Sequence, residues 1–538
     1  MESGLRKITQ GAPSDASPVT FFHTAAQPDD DGKVWTRYKP VAGLQFWQAV
    51  SAIILIGLAL RLPTITKSLW LDEAYTAWFT ALPFRKLWTD VPVYEVHPPL
   101  YNIVLKAWTA VSGRTEAGLR SLSVAASLAT ILLLALSGKA LRAGPLGDRV
   151  SLLAALLLAV NAGNINFAQQ ARPYAFETLT ASMAILSALV LLRRLQSNAE
   201  VGLKALLPAM LGLAVGAGST LWLHNTGIFI PYGIWIGLTI ALLGFVPGNR
   251  RLQALAVALP GICALLVWSP FLSLFLHQSS HLAEMAFWVT LEWGDLFSAW
   301  YLAAGGSYPM FIILAFAILG LGNLWRKEPP FAAMQTILLI LPLATVLVIG
   351  YFYKPFYIDR LFEWLSPIVL GLAAVGILTG LSSAVIRQIA VAAAVLFSLA
   401  STYVYYTTPT EDWRGLIGNI LAEAKPGDII VTNPNDISVP FDYYAPDLGK
   451  RLAVLFTPSP YPSVEIINGV STAIGTPMIV PGDQVLVRNS IAGHPRVWLI
   501  ERRADFYDPD SLISREISSV RKLQQTSVYQ DIYVSLFE

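Results

Sequence analysis

At 538 residues, with 54% hydrophobic and only 13% charged residues and a mean hydropathy of +0.54, the chain lacks the polar surface that a soluble globule of this size needs. It reads as a polytopic membrane protein. A formal net charge of +2 is far from the basic excess of a nucleic-acid binder, so no nucleic-acid partner is expected. The single cysteine, Cys263, has no intrachain disulfide partner and lies in an apolar run, as a small packing residue does.

Residues 1–43 are polar and include Asp29-Asp30-Asp31, without the short apolar core and small-residue cleavage site of a secretory signal. A cytoplasmic N-terminal segment followed by a retained signal anchor is expected. Runs of about 17–25 apolar residues, the length that crosses a bilayer, fall near 44–62, 117–138, 150–166, 174–192, 205–223, 225–246, 252–276, 305–324, 331–352, 361–381 and 388–406. That gives eleven spans within residues 44–406. The stretch Pro98 to Val111 is shorter and carries Asn102 and Lys106, which suits a juxtamembrane or re-entrant helix.

The positive-inside rule fixes the orientation. With eleven spans and the N-terminus inside, the connections holding Lys139, Arg142 and Arg149, then Arg193, Arg194 and Lys204, then Arg250 and Arg251, Arg326 and Lys327, and Arg387 all face the cytoplasm. A twelfth span would turn every one of them outward. The first loop, 63–116, the loops 277–304 and 353–360, and the tail 407–538 are then extracytoplasmic.

The tail changes character. A helix over Leu416 to Lys425 leads to a Pro426-Gly427 turn and a strand, with further strands expected near 451–456, 484–488, 496–501 and 528–537. This describes a small soluble α/β domain of about 130 residues. No internal repeat points to the paired halves of a secondary transporter, and no Walker loop, Rossmann glycine fingerprint or His-Glu-x-x-His motif occurs.

Chemistry concentrates in the first outer loop. Asp72 and Glu73 stand in Ser68-Leu-Trp-Leu-Asp-Glu-Ala-Tyr75, directly after the first span. An Asp costs roughly 2.5–3.5 kcal/mol at the centre of a spanning helix, so a carboxylate pair at a membrane edge calls for a reason. Tyr94-Glu-Val-His-Pro-Pro-Leu100 follows. A residue before proline is pushed out of the α region, and proline suits a first helical turn, so Pro98-Pro99 should open the short helix with Glu95 and His97 near its N-terminus. The plainer readings are that Asp72 caps a helix and that His97 caps the short one.

The combination of Leu-Asp-Glu-Ala, His-Pro-Pro-Leu-Tyr and a later Ala-Arg-Pro-Tyr-Ala resembles the membrane glycosyltransferases of the GT-C class. Within it the chain is most similar to the bacterial relatives of dolichyl-phosphate-mannose protein mannosyltransferases, which include lipid A aminoarabinose and lipopolysaccharide galacturonosyl transferases. The similarity covers residues 44–406. It implies a GT-C fold and transfer of a sugar from a polyprenyl-phosphate carrier to an acceptor hydroxyl on a lipid, glycan or protein, with inversion at the anomeric carbon.

Such a reaction needs a base for the acceptor proton and cations for the departing phosphate. Asp72 matches the family's catalytic acidic position and is expected to be the base, while Glu73 would orient the acceptor, hold a metal or share the proton. Where relatives carry a lysine before the prolines to help bind phosphate, this chain has His97, expected with Tyr94 and Glu95 to contact substrate. Arg172, a planar fork suited to two phosphate oxygens, and Tyr174 precede a span; the alternative is a snorkelling Arg beside an interfacial Tyr. Arg360 and Lys354, in the aromatic loop 353–361, are expected phosphate contacts, against simple headgroup binding. No cofactor is implied with certainty, and a divalent metal stays open. His277, His281 and Glu284 have the spacing of one helical face, which suits zinc but better suits a surface amphipathic segment; His224 reads as part of a tight turn. A transporter or a non-catalytic lipid-binding scaffold of the same fold are the competing readings.

Overall fold

The computed structural model describes residues 38–95, 97–197, 201–280, 289–463, 466–467, 470–471 and 475–538, and the side chains of Val93 and Tyr94 are outside that description. Nearly all of the polar segment 1–43 falls outside it, as do His281 and Glu284, so the one-face arrangement with His277 does too. Among the described residues, nine helices from Glu116–Ala140 to Ala384–Thr407 are long and apolar enough to cross a membrane. A further span is bent by 62° between Gly144–Ala159 and Ala162–Ala168, and the apolar helix Gly43–Ala59 is shorter. Every apolar run read from the sequence is thus helical. The Pro98 to Val111 stretch folds as Leu100–Ser112, 13 residues, which at 1.5 Å per residue reaches roughly 20 Å and falls short of a bilayer core.

Without a hydrophobic force between helices in lipid, close packing holds the bundle. The tightest crossing is between Ser307–Lys327 and Ser366–Gly380, where a Cβ on Gly320 would lie 2.0 Å from the Leu372 carbonyl oxygen and one on Gly376 would lie 1.9 Å from that of Phe316. Only glycine fits either position. At one end of the bundle the guanidiniums of Arg149 and Arg387 lie 5.2 and 5.9 Å from the Tyr38 ring. At the other, Lys67 Nζ donates to the Tyr406 carbonyl at 3.0 Å, and there the α/β domain begins.

The bend at Asn161 frees backbone carbonyls that lipid cannot satisfy. Arg61, buried at the end of the first helix, supplies the missing donors. It bonds the carbonyls of Ala159 and Leu158 at 3.0 and 3.4 Å, and Asn164 Oδ1 at 2.6 Å. Asn161 itself accepts from Asn164 N at 2.9 Å and donates to the Ala303 carbonyl at 3.1 Å.

The terminal domain contains a sheet of β1 (Ile429–Asn433), β2 (Ala453–Phe456), β3 (Val497–Arg502), β4 (Leu523–Tyr529) and β5 (Ile532–Phe537), ordered β2-β1-β3-β5-β4. β1 pairs in parallel with β2 and β3, while β5 runs antiparallel to β3 and β4. Alternation along β3 sends Trp498 and Ile500 to a core with Trp413 and Phe441, and Val497 and Leu499 to a second core with Val487 and Ile513.

Two expectations for the tail need correction. The apolar stretch 484–488 lies in a helix, Pro481–Ile491, because Pro481 opens it, Asp483 accepts from Val480 N at 2.8 Å, and Val487 and Ile491 are one turn apart on the buried face. The stretch 528–537 is a hairpin, turned at Gln530, whose φ is 60°.

One buried ion pair fixes the outer loop. Glu73, 0% exposed, takes Arg120 Nε at 2.8 Å and Nη2 at 2.5 Å, and also the backbone N–H of Ala171 at 2.7 Å. The remaining Arg120 donors reach the carbonyls of Ile65, Lys67 and Ser68. Removing one partner of such a pair strands a buried charge, at about 3–5 kcal/mol. Glu73→Ala is therefore expected to lower the thermal midpoint of the detergent-purified protein by several degrees, while Asp72→Asn, which strands no fully buried charge, moves it far less. Equal shifts in a fluorimetric melt would refute the assignment of Glu73 to the scaffold.

Candidate active site

The helix Leu71–Ala81 starts after Trp70, and its first N–H groups are met by other residues. Glu73 accepts from Trp70 N at 3.4 Å, and Glu411 of the tail accepts from Leu71 N at 2.8 Å. Asp72 is thus in the first turn rather than at the cap, and its side chain, 26% exposed, faces a cavity.

That cavity, about 670 Å³, lies between the membrane helices and the α/β domain. Asp72, Glu95, His97, Arg172, Tyr174 and Arg360 all line it. Arg172 Nη2 and Arg360 Nη1 stand 3.9 and 3.7 Å from Asp72 Oδ2. At such distances a pair of unit charges attracts by about 4 kcal/mol at an effective dielectric near 20, yet neither contact is a hydrogen bond. Burial alone would push Asp72 upward; Arg172, Arg360, Arg502 and His97 outweigh it and hold the carboxyl below the usual carboxylate range.

Both arginines keep donors in reserve. Arg172 is anchored by the Asp72 carbonyl at 3.2 Å and Thr76 Oγ1 at 3.4 Å, and Arg360 lies 5.7 and 5.6 Å from the Trp70 and Tyr174 rings. The Nε atoms of both are buried and have no hydrogen-bond partner among the described residues. Two convergent guanidiniums with unused N–H groups offer the kind of donor set that an anion takes.

Beside them His97 Nδ1 pairs with Glu95 Oε1, and the His97 ring meets that of His224 edge-on at 4.4 Å. Burial would raise Glu95, but His97 and Arg172 bring it below its ordinary value. Gln278 Nε2 holds the segment through the carbonyls of Pro92 and Glu95 at 3.0 and 3.1 Å.

Glu73 is not in the cavity lining. It is one residue from Asp72, which on a helix is about 100° away, and its carboxylate is spent on Arg120 and Ala171. Lys354 is also absent from the lining, while its neighbours Tyr353 and Phe356 are present. The Tyr94 side chain lies outside the described residues. His224, read as a turn residue, lines the cavity.

Sequence reasoning missed the tail's share of the site. Asp436, Tyr461, Arg502 and Tyr507 line the cavity from the α/β domain. Asp436 is 2% exposed; burial raises its carboxyl to about 6, against the opposing pull of Arg502 and Tyr75. The available signal was a run of polar residues, Asn433 to Asp436, immediately after an apolar strand.

A divalent ion fits this donor set poorly. Among the described residues no three His, Cys, Asp or Glu side chains gather as metal ligands; Asp72 faces two arginines, Glu95 pairs with His97, and Asp436 accepts from Tyr75.

No family model matches the sequence, and no curated relative does. Solved structures do match. The apo oligosaccharyltransferase of Archaeoglobus fulgidus superposes with a TM-score of 0.57 at 11% identity, over 86% of this chain and 70% of that one. Apo ArnT from Cupriavidus metallidurans gives 0.56 at 14% identity, over 92% and 98%. ArnT bound to undecaprenyl phosphate gives 0.54 at 13%, again over 92% and 98%. At this identity the likeness is one of fold, extending from the membrane helices through the terminal domain. The chain has the GT-C membrane fold that its sequence motifs anticipate.

Proposed function

We propose that the protein is an integral membrane glycosyltransferase, which moves a sugar from a polyprenyl-phosphate carrier to an acceptor hydroxyl at the extracytoplasmic face. The observation that carries this reading is the placement of Asp72 between Arg172 and Arg360, each with an unpartnered Nε, in a cavity at the membrane edge. Undecaprenyl phosphate bound by ArnT supports a carrier of that chemistry, and the positive-inside distribution supports the orientation.

The carrier phosphate takes the two arginines, and Asp72 thereby loses its counter-charges. Its proton affinity rises as substrate binds. The acceptor O–H attacks the anomeric carbon, its proton passes to Asp72, and the anomeric C–O bond to phosphate breaks. The electron pair leaves with the lipid phosphate, stabilised by Arg172 and Arg360. Attack opposite the leaving group inverts the anomeric centre. Glu95 and His97, beside the arginines, orient substrate, while Glu73 positions the helix without touching it.

Lipid and glycan mass spectrometry of a deletion strain tests the reading. Wild-type protein restores one missing sugar and Asp72→Asn does not, a loss of roughly 10²–10⁴-fold for a general base; equal restoration by both would remove Asp72 from that role. Arg172→Ala with Arg360→Ala should lose carrier binding, measured with undecaprenyl phosphate in nanodiscs, and unchanged affinity would contradict the anion site.

The pH profile tests Asp72 as the base. Asp72 is depressed in the free protein, so it is ionised throughout the neutral range and its loss of function on acidification falls below about pH 4. On an Asp436→Asn background, which removes a carboxyl titrating near 6, kcat/KM should hold level from neutral pH to about pH 5. A limb above about pH 5 on that background would remove Asp72 from the role of base.

A further inference from the structure

The three parallel strands of the terminal domain all point their carboxyl ends at the membrane domain's cavity. Asp436 follows β1, Tyr461 follows β2, and Arg502 and Tyr507 end or follow β3, and each of them lines the cavity. In open α/β sheets ligands bind outside the carboxyl ends of parallel strands, where connections diverge to either side of the sheet. The border of β1 and β3 is such a point, since the chain leaves β1 for β2 on one side and comes back to β3 on the other.

The helix bearing Asp72 closes this crevice. The Tyr75 hydroxyl donates to Asp436 Oδ2 at 3.2 Å, and its ring lies 5.0 Å from that of Tyr461. Tyr75 is three residues after Asp72, so both are on one helical face. A group bound by Asp436 is thereby brought next to Asp72. Yet Asp436 Oδ1 is buried and has no hydrogen-bond partner among the described residues. A buried acceptor left unpaired costs about 1–3 kcal/mol, and more when charged, so this oxygen awaits a donor from outside the chain.

The surroundings select the donor. Arg502 is taken by Glu411 at 2.6 Å, so it offers no free counter-charge for an anion. Tyr75, Tyr461 and Tyr507 instead supply aromatic faces around a carboxylate acceptor. A sugar ring matches that combination, with a C–H face for the aromatic side chains and hydroxyl hydrogens for the carboxylate.

We propose that this crevice is the acceptor subsite, and that Asp436 Oδ1 receives a hydroxyl hydrogen of a sugar on the acceptor, so that a neighbouring hydroxyl meets Asp72. The proposal rests on the glycosyl-transfer reading above and adds the class of acceptor, a glycan or sugar-bearing lipid. Asp436 is a binding residue, and the domain is a substrate-recognition module.

Full-length protein in nanodiscs tests this with two probes, an array of defined mono- and oligosaccharides and undecaprenyl phosphate. Wild type is expected to bind at least one glycan saturably. Asp436→Asn should weaken that glycan by tenfold or more and leave undecaprenyl phosphate within twofold, whereas the Arg172→Ala, Arg360→Ala double variant should do the reverse. Tyr461→Ala, with the same expected loss of glycan, serves if Asp436→Asn fails to fold. The proposal is overturned if wild type binds no glycan, if the Asp436→Asn and Tyr461→Ala proteins retain it within twofold, if Asp436→Asn weakens the lipid phosphate equally, or if a peptide library is captured instead. Failure of wild type to bind undecaprenyl phosphate would strike the carrier reading, while the glycan arm would still report on Asp436.

Discussion

The buried pairing of Glu73 with Arg120 is the constraint on which the site depends. Helical residues advance by about 100°, so burying Glu73 against the Glu116–Ala140 helix turns its predecessor toward the cavity. The same carboxylate accepts from the N–H of Ala171, the residue before Arg172. One side chain therefore aims two others, Asp72 from its own helix and Arg172 from a distant connection. Such a pair is a weak source of net stability, because desolvation offsets most of its attraction; what it specifies is geometry.

Arginine recurs as a substitute for missing backbone donors. Arg120 satisfies three carbonyls of the irregular stretch 65–68, and Arg61 satisfies the broken turn before Asn161. Irregular backbone that is buried away from water requires a protein donor. The planar guanidinium, with five N–H groups, serves several carbonyls at once. Arg172 and Arg360 differ from these in having buried Nε donors without an acceptor among the described residues.

Much of this was legible in the sequence because composition and spacing carry it. Apolar run length located the spans, the tandem prolines located the Leu100–Ser112 helix, and the polar residues clustered in outer loops include those that share the cavity. Asp72 and Glu73 both read as site residues, Asp72 as base and Glu73 as its partner, because neither adjacency nor charge reveals helical phase; the partner that sets the phase, Arg120, is 47 residues from Glu73. The helix Pro481–Ile491 was mistaken for a strand because five residues of mixed polarity fit either period, and the deciding Asp483 cap is local chemistry outside that window. Lys354 shared its loop with Arg360, but the turn of the loop directs the neighbouring aromatics to the cavity instead. Asp436 was marked only by a polar run after an apolar strand, and for a different reason. Its role depends on docking between two folding units, which no local pattern encodes.

That docking has its own keystone in Glu411, at the junction of the last membrane helix and the domain. Its Oε2 accepts from Leu71 N, the first N–H of the Asp72 helix, and from Trp413 Nε1 at 2.9 Å, while Oε1 accepts from Arg502 Nη2 at 2.6 Å. A carboxylate at a helix N-terminus also complements the helix dipole. Tyr444 adds a second tie through Leu69 N at 2.8 Å. The helix that presents Asp72 is consequently clamped from both sides, by Arg120 below and by the terminal domain above. The domain that roofs the cavity is in this way also part of what holds its carboxylate in place, so recognition above the cavity and chemistry within it share one mechanical frame.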